Sequence, residues 1–409
     1  MWAVNAFSFL NSFGTGVITN GIFFVTKNTY RFSETQNYFL GVVIGALYVA
    51  ATLLTGRVLA GLKSRGYAVT GRATLAVTML VAALACTLPM AGMLLYGDHS
   101  GDVPPSWPVW ALVVVYIPMT GVLWPVVESY VSGGRQGEEL RSSMGIWNFV
   151  WSSATAVALW STSTLIEHRA ALMILVLGGV HLLAAGVLTR FTRDPAAHGD
   201  DHEPHPEVYE RLLVTFRILL PTSYILHTAL GPFLPTAMTK LGVEIRWQLL
   251  IYSVFAVGRA VTFYSAGVIH AWHGRWSTPI VAGILMLSGF TAALLSPMAA
   301  HAGPGVSWGG VALLAAGLLV FAVGMALNYT AAIYYAMAVG KAEVDAGGMH
   351  EALIGVGYTI GPLCGLVPAF AIDKGWMQEG IFQPFVLSAI GVIGITAASL
   401  VIHRVWKHS

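Results

Sequence analysis

Along the chain, apolar residues do not alternate with polar ones at the strand period, nor do they mark one stripe of an otherwise polar helix. They run on. Twelve hydrophobic runs, bounded by charges or Gly/Pro turns, fall near 2–26, 37–61, 73–96, 108–132, 143–165, 170–191, 212–239, 247–270, 278–298, 307–339, 350–372 and 382–403. Each is long enough to cross a hydrocarbon layer of ~30 Å as a helix. Continuous runs of this length disfavour a β-barrel, whose strands alternate over ~10 residues. The pattern predicts an all-α polytopic membrane protein with twelve transmembrane helices. No basic stretch precedes the first run and no small-residue cleavage site follows it closely, so a cleaved leader is not expected.

Polarity varies with a period of three spans. Spans three, six, nine and twelve are the plainest, for example the ninth, IVAGILMLSGFTAALL. Spans one, four, seven and ten carry most of the amides, prolines and aromatics. Buried polar groups need a wet cavity or protein partners, so these four spans are expected to line one. The longest polar segment, RDPAAHGDDHEPHPEVYER at 193–211, divides the spans six and six. Its His198, Asp200, Asp201, His202 and His205 suggest a metal cage, but Gly199, Pro204 and Pro206 oppose a fixed one, and a solvated linker is the expectation. The domain reading is therefore an N-terminal six-helix bundle at 1–192, a cytoplasmic linker at 193–211 and a C-terminal bundle at 212–409.

The two halves repeat. Gly56 to Arg65 sets a small residue, an aliphatic pair and then Arg65 at the interval that Ala266 to Arg275 repeats. From Gly121 to Met144 and from Gly324 to Met349, a Gly opens a polar stretch of a fourth span and a Met begins the fifth. Parallel repeats about a pseudo-twofold along the membrane normal are a transporter device.

Composition agrees with a lipid solvent. The chain is 56% hydrophobic and 10% charged, against the ~25% charged of a soluble domain, and its mean hydropathy is +0.71. Disorder, nucleic-acid binding and ordinary soluble enzymes are excluded on these numbers. A net charge of +2 implies no polyanionic partner. Cys86 and Cys364 lie in apolar runs and imply no disulfide. With twelve spans, fourteen Lys and Arg fall on the face that carries both termini and six on the other. That bias places both termini in the cytoplasm, and the short loops suggest a bacterial inner (plasma) membrane.

Twelve spans, a six-plus-six linker, the triplet period and a basic turn between spans two and three resemble the major facilitator superfamily over the whole chain. The superfamily's turn, G-x-L-a-D-R-x-G-R-R, is similar to G-R-V-L-A-G-L-K-S-R at Gly56–Arg65, with Ala60 where the Asp would stand. Glu138 or Glu139 are the candidates to replace its charge. GYTIGPLCG at 357–365 resembles the antiporter signature but lies on span eleven rather than five, and its small-xxx-small spacing reads as close helix packing with a bend at Pro362. The resemblance implies two pseudo-symmetric bundles, rocker-switch alternating access and gating by Arg65 and Arg275.

A charge in the membrane interior costs ~3 kcal/mol or more, so each one is a functional candidate. Arg259 lies about twelve residues, ~18 Å, into span eight. It is read as an anchor for an anionic substrate group, or as a counter-ion or structural ion pair. Glu128 and Glu351 stand near the cytoplasmic ends of spans four and eleven, either snorkelling to the interface or titrating with the transport cycle, with His350 beside Glu351. His227 is central on span seven, whereas His181 on the plain span six reads as packing. Asn11, Asn20, Asn148 and Asn328 suit a hydrogen-bonding cavity. Trp124, Trp147, Trp151, Tyr224, Tyr334, Tyr335 and Tyr358 fall near one depth, while Trp2, Trp107, Trp110, Trp247, Trp376 and Trp406 suit the interfacial belt. The expected substrate site is Trp124, Asn148, Trp151, His227, Arg259, Asn328 and Tyr358. Proton coupling is assigned to Glu128, Glu351 and His350. Pro118, Pro125, Gly231, Pro232 and Pro235 should weaken spans four and seven locally.

No P-loop, HExxH or G-x-S-x-G occurs, so ATP-driven pumping and hydrolase chemistry are not expected, nor is a cofactor or metal. The expectation is a monomeric secondary active transporter of a small organic solute, with Arg259 favouring one that carries an acidic group, coupled to protons and in contact with membrane lipid. An uncoupled facilitator or a lipid exporter of the same fold is the alternative, and a membrane enzyme or scaffold is a third reading.

Overall fold

The computed structural model describes residues 1–96, 103–196, 206–301, 304–339 and 344–407. Within them the chain is helical, in the order α1 (Trp2–Thr15), a π-helical turn (Gly16–Gly21), α2 (Ile22–Asn28), α3 (Glu34–Ser64), α4 (Gly71–Tyr96), α5 (Trp107–Ser132), α6 (Gly137–Thr162), α7 (Ile166–Val187), α8 (Val208–Leu230), α9 (Leu234–Lys240), α10 (Ile245–Val268), α11 (Ser277–Leu295), α12 (Trp308–Val339), α13 (Val344–Asp373) and α14 (Phe382–Lys407). Ten of these helices are long and apolar enough to cross a membrane. The remaining two predicted spans fall short for separate reasons. Span one is broken at its π turn, and α6 opens with Glu138, Glu139 and Arg141 and stays rich in Ser and Thr. With both, the twelve-span count holds.

Local sequence explains the breaks. Gly14, Gly16 and Gly21 weaken span one, and the hydroxyls of Thr15 and Thr19 turn back to the carbonyls of Asn11 and Thr15 at 3.2 and 2.6 Å. Such bonds compete with the helical ladder and favour a local bulge. Span seven parts at Gly231, after which Pro235 sits in the first turn of α9. Pro118 and Pro125 remain inside α5, and Pro362 and Pro368 inside α13. Ser33 and Gln36 form a reciprocal cap on α3, and Asp194 Oδ1 accepts from Gly71 N at 2.9 Å at the start of α4. The histidines and acids at 198–205 lie outside the described residues.

Two seams join the first six spans to the last six: α3 against α13, and α6 against α10. Both depend on absent side chains. A Cβ on Gly145 of α6 would stand 2.8 Å from the Gly267 Cα of α10, and one on Gly41 of α3 would stand 2.9 Å from Pro362 of α13. The 357–365 stretch packs both ways. Gly357 meets Pro221 and Tyr224 of α8, Gly361 meets Thr228 of α8, and Gly365 meets Tyr38 of α3. Backbones therefore approach closely where two halves of the chain meet.

The expected belt residues Trp2, Trp107, Trp247 and Trp376 are exposed, while Trp110 stacks on Phe32. His181 accepts or donates at 2.9 Å to Tyr116 and packs on Gly14, a packing role.

Candidate functional site

A small cavity lies where α1, α3, α5, α6, α8, α10, α12 and α13 converge. Its free volume is ≈ 70 Å³, room for roughly five waters. The π turn faces it. Thr15, Thr19 and Asn20 supply hydroxyls and an amide there, and π-helical turns recur at functional sites. Aromatic rings form much of the remaining wall: Trp124 and Trp147 with centroids 6.0 Å apart, Trp151 at 6.4 Å from Trp124, and Tyr224 edge-on to Tyr358 at 5.3 Å.

Arg259 enters from α10. Its guanidinium carbon lies 4.8 Å from the Trp151 ring centre and 4.7 Å from that of Phe255. Aromatic faces hold a cation in place of water. The residue is 4% exposed, its Nε has no hydrogen-bond partner, and no ion pair among the described residues involves it. A buried cation that meets ring faces and no carboxylate leaves its in-plane N–H groups for something else. His227 stacks on Phe255 at 4.7 Å beside it.

Toward the end of the bundle that carries both termini stand two carboxylates from different halves. Glu128 of α5 is 0% exposed and Glu351 of α13 is 3% exposed. Both are buried, which excludes snorkelling to the interface in this state. Tyr48 of α3 donates its hydroxyl to Glu351, and Glu351 reaches the cavity wall. Neither oxygen of Glu128 finds a donor, nor does His350 Nε2 find a partner. Donor atoms of Glu128, His350 and Glu351 lie within 4.8 Å of one another. Among the described residues this is the one trio close enough to share a small cation, and its two carboxylates can also share a proton.

The opposite end is tied across the halves by Asn28 Nδ2 to Gln248 Oε1 at 3.0 Å, Trp160 Nε1 to Ser253 at 2.5 Å, Tyr38 to the Ala229 carbonyl at 3.3 Å and Ser163 to the Arg246 carbonyl.

This architecture is that of known transporters. The chain is similar to the proton:xylose symporter XylE (TM-score 0.65, 13% identity, covering 99% of this chain and 95% of that one). It is also similar to a bacterial homologue of the human lysosomal transporter Spinster, captured inward-facing (0.64, 12%, 99% and 96%), and to the nucleoside transporter NupG (0.61, 12%, 98% and 99%). The fold is the major facilitator fold. No family model matches the sequence, and neither does any curated protein.

Within the major facilitator fold of this chain, Trp124, Trp151, His227, Arg259 and Tyr358 line the cavity as the sequence suggests. Asn148 and Asn328 do not. Asn148 sits behind the wall, its Oδ1 accepting from Trp151 Nε1 at 2.9 Å, and Asn328 donates to the Leu219 carbonyl at 3.2 Å. Asn148 thus holds a ring of its own helix and Asn328 joins α12 to α8, and neither lines the cavity. Tyr334 and Tyr335 also depart from the expected depth, since they cluster with Tyr209, Trp272 and His273 near the ends of α8 and α10. Glu139 pairs with Arg135 of its own half at 3.3 Å, so it latches nothing across the seam. Arg65 and Arg275 are exposed, and no ion pair among the described residues includes either. Ser12, Thr15, Thr19, Tyr48, Thr120, Thr155, Tyr329 and Ile354 line the cavity without having been singled out. Threonines at 15 and 19, four apart on a span already marked by amides, were the one available signal.

Proposed function

We propose that the chain is a secondary active transporter that moves a small organic anion together with a proton across the inner membrane. The observation that carries this reading is Arg259: a buried cation without a carboxylate partner, held between rings, on the wall of a cavity that both halves build. An oxyanion in the plane of the guanidinium supplies the missing partner. The aromatic wall takes the substrate's apolar body, and His227, Tyr358, Thr15 and Thr19 complete its polar contacts.

The two halves, 1–192 and 212–409, act as the rocking bodies about this site. In the closed arrangement Glu128 and Glu351 are dry and adjacent, and two like charges there are costly, so a proton shared between them supplies the donor Glu128 lacks. Parting α5 from α13 hydrates both and releases it. His350 tunes the pair, while Arg65 and Arg275, on equivalent turns of the two halves, grip the cytoplasmic face when the opposite face opens. The excess of Lys and Arg on one face supports an orientation with both termini in the cytoplasm.

Quenching of Trp124 and Trp151 fluorescence tests the anion. Purified protein is titrated with a panel of small carboxylic acids and their matching amides. Binding of an acid that its amide lacks, lost in Arg259→Ala, is the expected result. An amide that binds as well as its acid, with Arg259→Ala unchanged, overturns the anionic reading. The rival is an uncoupled facilitator in which the Tyr48–Glu351 bond is a gate latch alone, and proton flux separates the two.

A further inference from the structure

A second cavity lies on the membrane-facing surface of the C-terminal half, between α8, α11 and α14. It has a volume of ≈ 540 Å³, and its walls are formed by residues such as Leu219, Leu226, Ile284, Met286 and Ala398. Its two threonines, Thr215 and Thr222, spend their hydroxyls on the carbonyls of Arg211 and Ile218 at 2.9 and 3.1 Å. The indole N–H of Trp276, at the mouth, is thus the one side-chain donor the lining leaves to a ligand. Gly283 and Gly394 form part of the trough, and a Cβ on either would meet nothing within 4 Å. No helix contact requires glycine at these two positions, and glycine within a helix costs about 1 kcal/mol relative to alanine. The space they leave is open to a non-protein occupant.

Length and charge define that occupant. From Trp276, just before α11, to Leu287 the groove rises eleven residue steps, ~16 Å at 1.5 Å per residue, which is the depth of one leaflet of a ~30 Å hydrocarbon layer. It begins at the end of the bundle that carries both termini. There the chain places exposed Arg275 directly before Trp276, and exposed His403 and Arg404 directly after Ile402. An apolar trough one leaflet deep with cations at its mouth matches an acyl chain below an anionic headgroup.

We propose that this groove is a binding site for one anionic phospholipid, its acyl chain between α8, α11 and α14 and its phosphate on Arg275 and Arg404. The site is separate from the central cavity and does not depend on what that cavity transports. An occupant there bridges the first and last spans of the C-terminal half.

Native mass spectrometry of the delipidated full chain tests the site, with phosphatidylglycerol and phosphatidylcholine of identical acyl chains as probes. The expected result is one phosphatidylglycerol retained per chain, with affinity at least ~10-fold above phosphatidylcholine, the scale of one or two charge-assisted contacts. Arg275→Gln with Arg404→Gln should erase the headgroup preference while leaving the weaker chain binding. Gly283→Leu should reduce retention of both lipids. Glycerol 3-phosphate at millimolar concentration should not displace the lipid. Equal retention of the two lipids by the unaltered protein overturns the proposal, as does a preference that survives the double arginine variant. Displacement by glycerol 3-phosphate also overturns it, because the site would then hold phosphate rather than lipid. The two arginines are exposed, so the headgroup arm does not depend on Gly283→Leu folding.

Discussion

Tyr48 and Glu351 lie 303 positions apart in the chain and share a buried hydrogen bond across the α3–α13 seam, with the phenol as donor. The bond ties the first half to the second beside the central cavity. A buried hydrogen bond to a charged acceptor contributes about 1.5–3 kcal/mol. Tyr48→Phe should therefore shift the closed–open balance at this end by roughly 10-fold or more toward open. Spin labels at Ser64→Cys and Ser277→Cys, one on each half, report it as a longer distance population. An unchanged distribution means the bond does not hold the seam.

The α6–α10 seam makes a steric prediction. The Gly145 Cβ position is 2.8 Å from Gly267 Cα, so Gly145→Leu cannot be accommodated by a side-chain rotation. The variant should insert normally yet fail to close at the termini end, cutting transport by roughly 10-fold or more, as expected when a step of alternating access is lost. The same label pair reads the block directly, and a short distance retained in Gly145→Leu contradicts it.

Arg259 makes a chemical prediction that distinguishes charge from shape. Lysine preserves the charge but not the planar fork that stacks between Trp151 and Phe255. Arg259→Lys should bind the anionic solute about 10- to 100-fold more weakly, on the scale of one or two charge-assisted hydrogen bonds. Isothermal titration of the purified protein measures it. Full affinity in Arg259→Lys would show that only the charge matters.

Outside the spans, His273 carries a pH signature. It lies between α10 and α11, accepts or donates at 2.8 Å with Tyr209, and packs against Trp272, Tyr334 and Tyr335. Burial, then Arg141 of α6 and neighbouring His270, push its pKa down from 6.5 to about 4. The unfolded chain thus binds a proton that the folded one does not between those values, and stability falls as pH drops from about 6.5 toward 4. His273→Gln should flatten that part of the thermal-midpoint profile. An identical slope in the variant would place its origin elsewhere.

Sequence pattern carried the architecture because a lipid solvent imposes long apolar runs, and each run is countable on its own. Arg259 was legible for the same reason, as a lone charge in such a run. What stayed hidden was pairing across the fold. Nothing in WPVVESY or MHEALIG says that Glu128 and Glu351 meet, since 223 positions separate them and only the packing of α5 and α13 joins them. Among the amides, Asn20 lines the cavity while Asn148 and Asn328 do not. Asn148 and Asn328 look like cavity residues by depth, but Asn148 is engaged by Trp151 of its own helix and Asn328 by the α8 backbone. The π turn shifts the helical register locally, and its Thr19 and Asn20 line the cavity with Thr15 just before it.

The most direct test of the central claim uses sealed proteoliposomes loaded with a pH-sensitive dye and challenged with the acid that binds at Arg259. Unaltered protein, Glu128→Gln and Glu351→Gln are compared. The account predicts solute-driven proton movement in the unaltered protein and its loss in at least one glutamine variant that still exchanges solute. Solute exchange without proton movement in the unaltered protein would contradict coupling and leave the two carboxylates as a latch.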